Sequence, residues 1–151
     1  MKNAPQELRT YLLTAVTAQR RRLFQVTATA ELFVSTLQDN RAKGRFELYA
    51  FVVMPDHVHL LLTPAADVSL EKVAQYVKGG FSFRLKSKMD VWERSYDNRR
   101  ITDEEQFDVC KRYVEENPVR KRLVIAAGDY PYSSFGRREM VDPKPLWFGR
   151  G

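Results

Sequence analysis

The chain has 151 residues, the length of one domain, with 44% hydrophobic and 29% charged residues, a globular balance that excludes disordered, fibrous and collagen-like chains. Its single cysteine, Cys110, excludes an internal disulfide and a cysteine-built zinc site. Twenty-five Lys and Arg against nineteen Asp and Glu leave a net charge of +6, which favours a polyanionic partner.

In chain order, Thr10 to Val16 is aromatic and β-branched enough for a first strand, ended by the polar run into Arg20-Arg21-Arg22. From Thr27 to Lys43, Leu32, Phe33, Thr36 and Leu37 recur at helical spacing, and Lys43-Gly44 stops the helix. Phe46 to Val53 reads as a strand buried on both faces. After the turn Met54-Pro55-Asp56, its partner runs from His57 to Thr63, and this hairpin is expected at the centre of the sheet. Ser69 caps a second helix with the stripe Leu70, Val73, Val77, Phe81 and Leu85, weakened or kinked by Gly79-Gly80.

Asp90 to Ile101 reads as a short strand or extended loop. Thr102 and Glu105 form a T-x-x-E capping box that starts a third helix carrying Phe107, Cys110 and Val114, and Pro118 is expected to end or bend it at Asn117. The order strand, helix, strand, strand, helix, strand, helix packs most simply as an α+β domain. Its antiparallel sheet would be ferredoxin-like, with helices on it. One domain over 1–151 is expected, with a core of about 9–135 and an irregular tail from Asp142. No run approaches the roughly 20 apolar residues of a spanning helix. The opening Met1-Lys2-Asn3-Ala4-Pro5-Gln6-Glu7 has no apolar signal region, so a cytoplasmic protein without membrane contact is expected.

The basic residues cluster at Arg20-Arg21-Arg22, at Arg84, Lys86 and Lys88, at Arg99-Arg100 and at Arg120-Lys121-Arg122, with Phe81, Phe83, Trp92 and Tyr96 among them. That mixture suits backbone neutralisation and base stacking, although solvated helix ends would account for it equally well. The two histidines, His57 and His59, stand two apart on a strand, so both imidazoles face one way and could share a divalent metal, whereas Val58 and Leu60 turn to the other face. A pair of polar residues on an exposed sheet face is the alternative. Tyr113 and Asn117 project from one side of the third helix at i and i+4. If that helix crosses the histidine strand, Asn117 could complete the coordination and Tyr113 could act as nucleophile on a metal-bound phosphate. A histidine-triad hydrolase would need a third alternating histidine, and position 61 is leucine.

Met54-Pro55-Asp56-His57-Val58-His59-Leu60-Leu61-Leu62 resembles the H-x-H segment of the IS200-like single-tyrosine transposases. Tyr113-Val114-Glu115-Glu116-Asn117-Pro118-Val119-Arg120, followed by Asp129-Tyr130-Pro131-Tyr132-Ser133-Ser134, resembles their REP-associated branch, as do Val91 to Asp97 and Arg99-Arg100-Ile101. The resemblance implies a ferredoxin-like domain with an extra C-terminal catalytic helix that recognises single-stranded DNA hairpins and cuts beside them. It further implies Mg²⁺ or Mn²⁺ on His57 and His59, and attack by Tyr113 to leave a 5′-phosphotyrosine and a free 3′-hydroxyl. A neutral phenol, with a solution pKa of about 10, needs such electrophilic help. Asn117 stands where related transposases place a glutamine as third ligand. Being one methylene shorter, it is expected to be a weak, distant or water-mediated third beside the two histidines. Arg20, Arg21, Arg22, Arg99, Arg100, Arg120, Lys121 and Arg122 are the expected DNA contacts, and Lys121-Arg122 replaces the branch's usual Ala-Gly. Insertion-sequence members are dimers with the tyrosine in the partner's site, and the REP-associated branch tends towards monomers. A domesticated hairpin-binding module that no longer cuts is the alternative reading.

Overall fold

The computed structural model describes residues 8–148. β1 (Thr10–Val16), α1 (Thr27–Ala42), β2 (Phe46–Met54), β3 (His57–Pro64), α2 (Leu70–Ala74), a π-helical turn (Gln75–Gly79), α3 (Gly80–Leu85), β4 (Asp97–Ile101) and α4 (Glu104–Arg120) follow in order, with short 3-10 turns between and after them. The four strands form one antiparallel sheet in the order β2-β3-β1-β4. That is the expected ferredoxin-like α+β arrangement. The hairpin, however, does not occupy its centre: β1 inserts beside β3, leaving β2 at one edge and β4 at the other. Chain adjacency favours pairing β2 with β3, whereas the α1 crossover carries β2 past the position that β3 then fills.

Alternation along the strands splits the core into two layers. Leu13, Val58, Leu60 and Leu62 face α1 and the α2–α3 segment, where Phe24, Phe33, Phe81 and Trp92 pack with ring centroids 5.4 to 6.0 Å apart. Leu12, Ala50, Val52, Met54 and Leu61 face α4, which answers with Phe107, Cys110 and Val114. Both sheet faces are therefore covered, and the near-continuous apolar runs of β2 and β3 follow from that. An irregularity between Leu48 and Ala50 puts Tyr49 and Ala50 on the same α4-facing layer.

The helix details refine the sequence expectations. Ser69 caps α2, its hydroxyl accepting from the Lys72 backbone N–H at 3.0 Å. The glycine pair does not break the helix. It continues through a π-helical turn, and a Cβ at Gly80 would sit a tight 3.3 Å from Thr36 Cγ2, so glycine eases the approach of α3 to α1. The cap of α4 falls one residue later than Thr102. Asp103 Oδ1 accepts from the Gln106 N–H at 2.8 Å, and Gln106 Oε1 accepts in return from the Thr102 N–H at 2.8 Å. The chain offers two overlapping cap patterns, and a carboxylate at the positive helix end wins over a hydroxyl. Nor does α4 end at Asn117: it runs through Pro118 to Arg120. Both Asn117 and Pro118 are buried there, and packing outweighs the local bias of a residue before proline against helical geometry.

The segment after α4 has little regular structure but is fastened to the open edge of β2. The Val53 N–H donates to Tyr132 O at 2.8 Å and the Phe51 N–H to Ser134 Oγ at 3.0 Å, while the Leu48 N–H donates to Asp142 Oδ2 at 2.8 Å. An edge that would otherwise offer unpaired backbone is thus closed. Ser134 Oγ also donates to the buried Glu115 carboxylate at 2.7 Å, which joins this strap to α4. Phe148 completes the α4 layer, so packing extends beyond 135. No described helix is long and apolar enough to cross a membrane.

Candidate active site

The register of the central strands builds the site. His59 stands opposite Thr14 on β1 and Val52 on β2, and His57 opposite Val16 and Met54. Both imidazoles lie on the α4 side, as the period-two spacing required, with ring centroids 4.9 Å apart. The face is not exposed: His59 retains 7% of its accessible surface. α4 crosses it so that Tyr113 lies edge-on to His59, centroid to centroid 5.6 Å. Tyr113, 41% exposed, borders the apolar stripe of α4, and its hydroxyl-bearing ring is half open to solvent.

Two residues that the sequence reading did not single out orient the histidines. His57 Nδ1 lies 2.8 Å from Asp56 Oδ1, and Arg20 donates to the other oxygen of Asp56 at 3.1 Å. Burial pushes the Asp56 carboxyl up, but the hydrogen bonds from His57 and Arg20 outweigh it and hold the group below the usual carboxylate range. An ionised Asp56 can only accept, so His57 Nδ1–H donates to it, an arrangement that turns Nε2 towards a ligand. His59 Nδ1 lies 2.8 Å from Thr14 Oγ1, where either atom can donate; with hydrogen on Nδ1, its Nε2 would likewise be free to bind a ligand. Burial, then the neighbouring His57, Arg120 and Lys121 charges, push His59 down to about 3, so it stays neutral in the ordinary pH range. Asp56 was adjacent to the H-x-H motif and could have been read as its orienting carboxylate. Thr14, 45 residues away, gives no sequence signal without the strand register.

One turn beyond Tyr113, Asn117 is 1% exposed. Its Oδ1 is the one buried side-chain polar atom among the described residues without a hydrogen-bond partner. Because α4 continues past it to Arg120, Asn117 sits inside the helix and caps no helix end. Leaving a buried acceptor unsatisfied costs about 1–3 kcal/mol. A ligand that supplies a positive charge or a donor would recover that loss. The described residues hold no cluster of three or more His, Cys, Asp or Glu. Two imidazole nitrogens and, one turn along α4 from Tyr113, one amide oxygen are the kind of donors that could hold a hard divalent ion.

The eight cationic residues divide by position. Arg120 covers the Tyr113 ring at 4.4 Å and donates to the Tyr113 carbonyl at 2.6 Å, and Lys121 is near enough to act on His59. Arg99 shares the α4 face through its register with Leu12, whereas Arg100, opposite Tyr11, is carried to the other face of the edge strand. Arg21 is a brace, donating to the carbonyls of Ala18 and Asp90. Gln19 and Arg20 adopt left-handed backbone with φ of 57° and 52°, and this strained turn brings Arg20 onto Asp56. Arg22 and Arg122 are exposed. Replacing Arg120, Lys121 and Arg122 together by alanine is expected to flatten the dependence of single-stranded DNA binding on salt. The log–log slope should lose about 0.7 per phosphate contact removed; a titration between low and moderate salt checks it.

The chain matches the family described as "Transposase IS200 like" over residues 6–117. A protein of Haemophilus influenzae described as a REP-associated tyrosine transposase is 27% identical to it over 153 aligned residues, covering 92% of this chain and 86% of that one. Among solved structures, a REP-associated tyrosine transposase bound to a REP hairpin superposes with a TM-score of 0.70 at 22% identity, over 95% of this chain and 89% of that one. A Deinococcus radiodurans protein described as a transposase superposes with a TM-score of 0.55 at 24% identity, over 73% and 93%. The residues that carry His57, His59, Tyr113 and Asn117 all fall inside the matched segment, and the chain belongs to the IS200-like transposase family.

Proposed function

We propose that the protein is a single-stranded DNA transesterase of the REP-associated kind, acting in the cytoplasm, which binds a DNA hairpin and cuts and rejoins the strand beside it. The observation that carries this reading is the convergence of His57, His59 and Tyr113, with ring separations of 4.9 and 5.6 Å, from two elements that are distant in sequence. Hairpin binding alone requires no such convergence. The relative whose structure holds a REP hairpin shares the fold over nearly the whole chain, and this supports a hairpin as the DNA partner.

In the proposed reaction the Tyr113 oxygen attacks the scissile phosphorus, the bond from phosphorus to the 3′-oxygen breaks, and the phenol proton passes by way of solvent to that leaving oxygen. A 5′-phosphotyrosine and a 3′-hydroxyl result. A later attack by a 3′-hydroxyl reverses the step, and no ATP is needed because the ester bond is kept. His57 and His59 are the residues that would hold Mg²⁺ or Mn²⁺, with the unpartnered Asn117 amide oxygen as a weaker third donor; when bound, the ion would withdraw charge from the phosphate. Arg120, stacked on the phenol ring, sets a guanidinium beside the place where charge would develop on the phosphate. Asp56 and Thr14 keep the imidazoles in one orientation.

A hairpin oligonucleotide with single-stranded flanks, labelled at its 3′ end, tests the proposal. With Mn²⁺ or Mg²⁺ the label should migrate with the protein, and with a chelator it should not; binding without any cut under these conditions would favour a domesticated binding module. Because Tyr113 and His59 meet within one chain, the tyrosine is proposed to act in its own site. A mixture of His59→Ala and Tyr113→Phe proteins should then remain inactive. Recovery of about a quarter of the activity, the share expected from mixed dimers with one intact composite site, would assign it to the partner's site.

A further inference from the structure

A cavity of about 450 Å³ opens directly beside the nucleophile. Leu12, Val109 and Cys110 form apolar walls, Tyr113 closes the end next to His59, and Arg99 and Glu105 stand at the rim with a cation and a carboxylate. Its volume is that of a small-ligand site, and its lining pairs apolar faces with a few polar groups, as a flat heteroaromatic ring requires. A comparably large cavity of about 490 Å³ lies by Phe46, Pro64 and Asp142 at the far end of the hairpin. There Arg41 and Asp142 are already paired with each other at 2.8 Å, and no site residue borders it. The cavity beside Tyr113 is the one that the reaction must pass.

We infer that this cavity is a base pocket. It holds the nucleobase on the 3′ side of the scissile phosphate, the nucleotide that stays attached to the protein after the cut. This rests on the cleavage reading above and extends it. The side follows from displacement at phosphorus: the leaving 3′-oxygen departs opposite the attacking atom, so the nucleotide 5′ of the break is directed away from Tyr113. The nucleotide 3′ of the break branches from the side of the trigonal bipyramid and is free to lie along the walls that Tyr113 itself forms. Stacking on the Tyr113 ring and contact with Val109 bind any base face. Arg99 and Glu105 present a donor and an acceptor to its edge. Once the 5′-phosphotyrosine has formed, the same pocket keeps the linked nucleotide from swinging out and so retains the geometry for rejoining.

Val109 permits a test without disturbing the core, since it is 49% exposed on α4. An abasic site in place of the nucleotide 3′ of the cut should slow single-turnover cleavage about tenfold in the wild type, and an abasic site 5′ of the cut should change it by less than about twofold. In Val109→Trp, which fills the pocket, the intact oligonucleotide should be cut about tenfold more slowly than by wild type, while the 3′-abasic oligonucleotide should be cut at least as fast as the intact one. In Arg99→Ala the difference between intact and abasic substrates should shrink. Cleavage that proceeds equally on intact and 3′-abasic substrates, or a loss confined to the 5′-abasic one, would overturn the base pocket while leaving the cleavage reading standing. Absence of cleavage on every substrate, intact included, would overturn both.

Discussion

Replacing Tyr113 by phenylalanine is expected to abolish the covalent protein–DNA product and to reduce strand cleavage by roughly a thousandfold or more, the loss typical of removing an essential nucleophile. The substitution removes one oxygen and little else. The aromatic ring that meets His59 and lies beneath Arg120 is kept, and among the described residues the hydroxyl of this 41% exposed tyrosine makes no hydrogen bond. Hairpin affinity should therefore change by less than about threefold, and electrophoretic mobility shift on the same oligonucleotide used for cleavage measures both quantities together. A residual covalent product in Tyr113→Phe would place the nucleophile elsewhere.

The metal donors are expected to separate into two classes. His57→Ala or His59→Ala should lower cleavage by about a hundredfold or more at any metal concentration, since a single imidazole cannot hold a weakly bound hard cation. Asn117→Ala should lower it by about tenfold and be partly restored by excess Mn²⁺. Because Asn117 Oδ1 has no partner among the described residues, removing it loses no hydrogen bond there and relieves a buried unsatisfied acceptor. Asn117→Leu, of similar volume, should accordingly match or exceed the wild type in its urea midpoint while needing more metal for half-maximal cleavage. That opposition between stability and activity is what a residue kept for function produces. Equal and unrescued losses in Asn117→Ala and the histidine variants would make Asn117 a full ligand, and a lower urea midpoint for Asn117→Leu would return it to a structural role.

How far the sequence revealed this depends on how local each determinant is. The two histidines share a face because side chains on any strand alternate, and Phe107, Cys110 and Val114 share a face because any helix repeats. Both statements hold before the fold is known. What brings Tyr113 onto His59 is the packing of α4 across the second face of the sheet, a tertiary fact with no local signature. Thr14 became the partner of His59 only when β1 inserted beside β3, the same event that moved the hairpin off the centre. Short-range rules also met competition. Thr102 and Asp103 both satisfy a cap pattern, and the carboxylate prevailed; Pro118 was expected to end or bend α4 at Asn117, and with both residues buried the helix does not end but runs on to Arg120. The Tyr130 to Ser134 segment was legible as a motif but not as a strap, since its hydrogen bonds run to the edge of β2, some 80 residues earlier, at Val53 and Phe51. Of the basic clusters, composition could not tell Arg99, which faces the site, from its neighbour Arg100, which does not.

The central claim is that the Tyr113 oxygen itself becomes joined to DNA. Tyr113 follows Arg112 and precedes Arg120, so tryptic digestion of the trapped complex yields the peptide Tyr113–Arg120 with that residue as its one tyrosine. After nuclease trimming, mass spectrometry should find this peptide heavier by one nucleotide linked through its 5′-phosphate, with fragmentation placing the added mass on Tyr113. The unmodified peptide alone, or the nucleotide on a peptide that carries Tyr96 or Tyr130, would contradict the account.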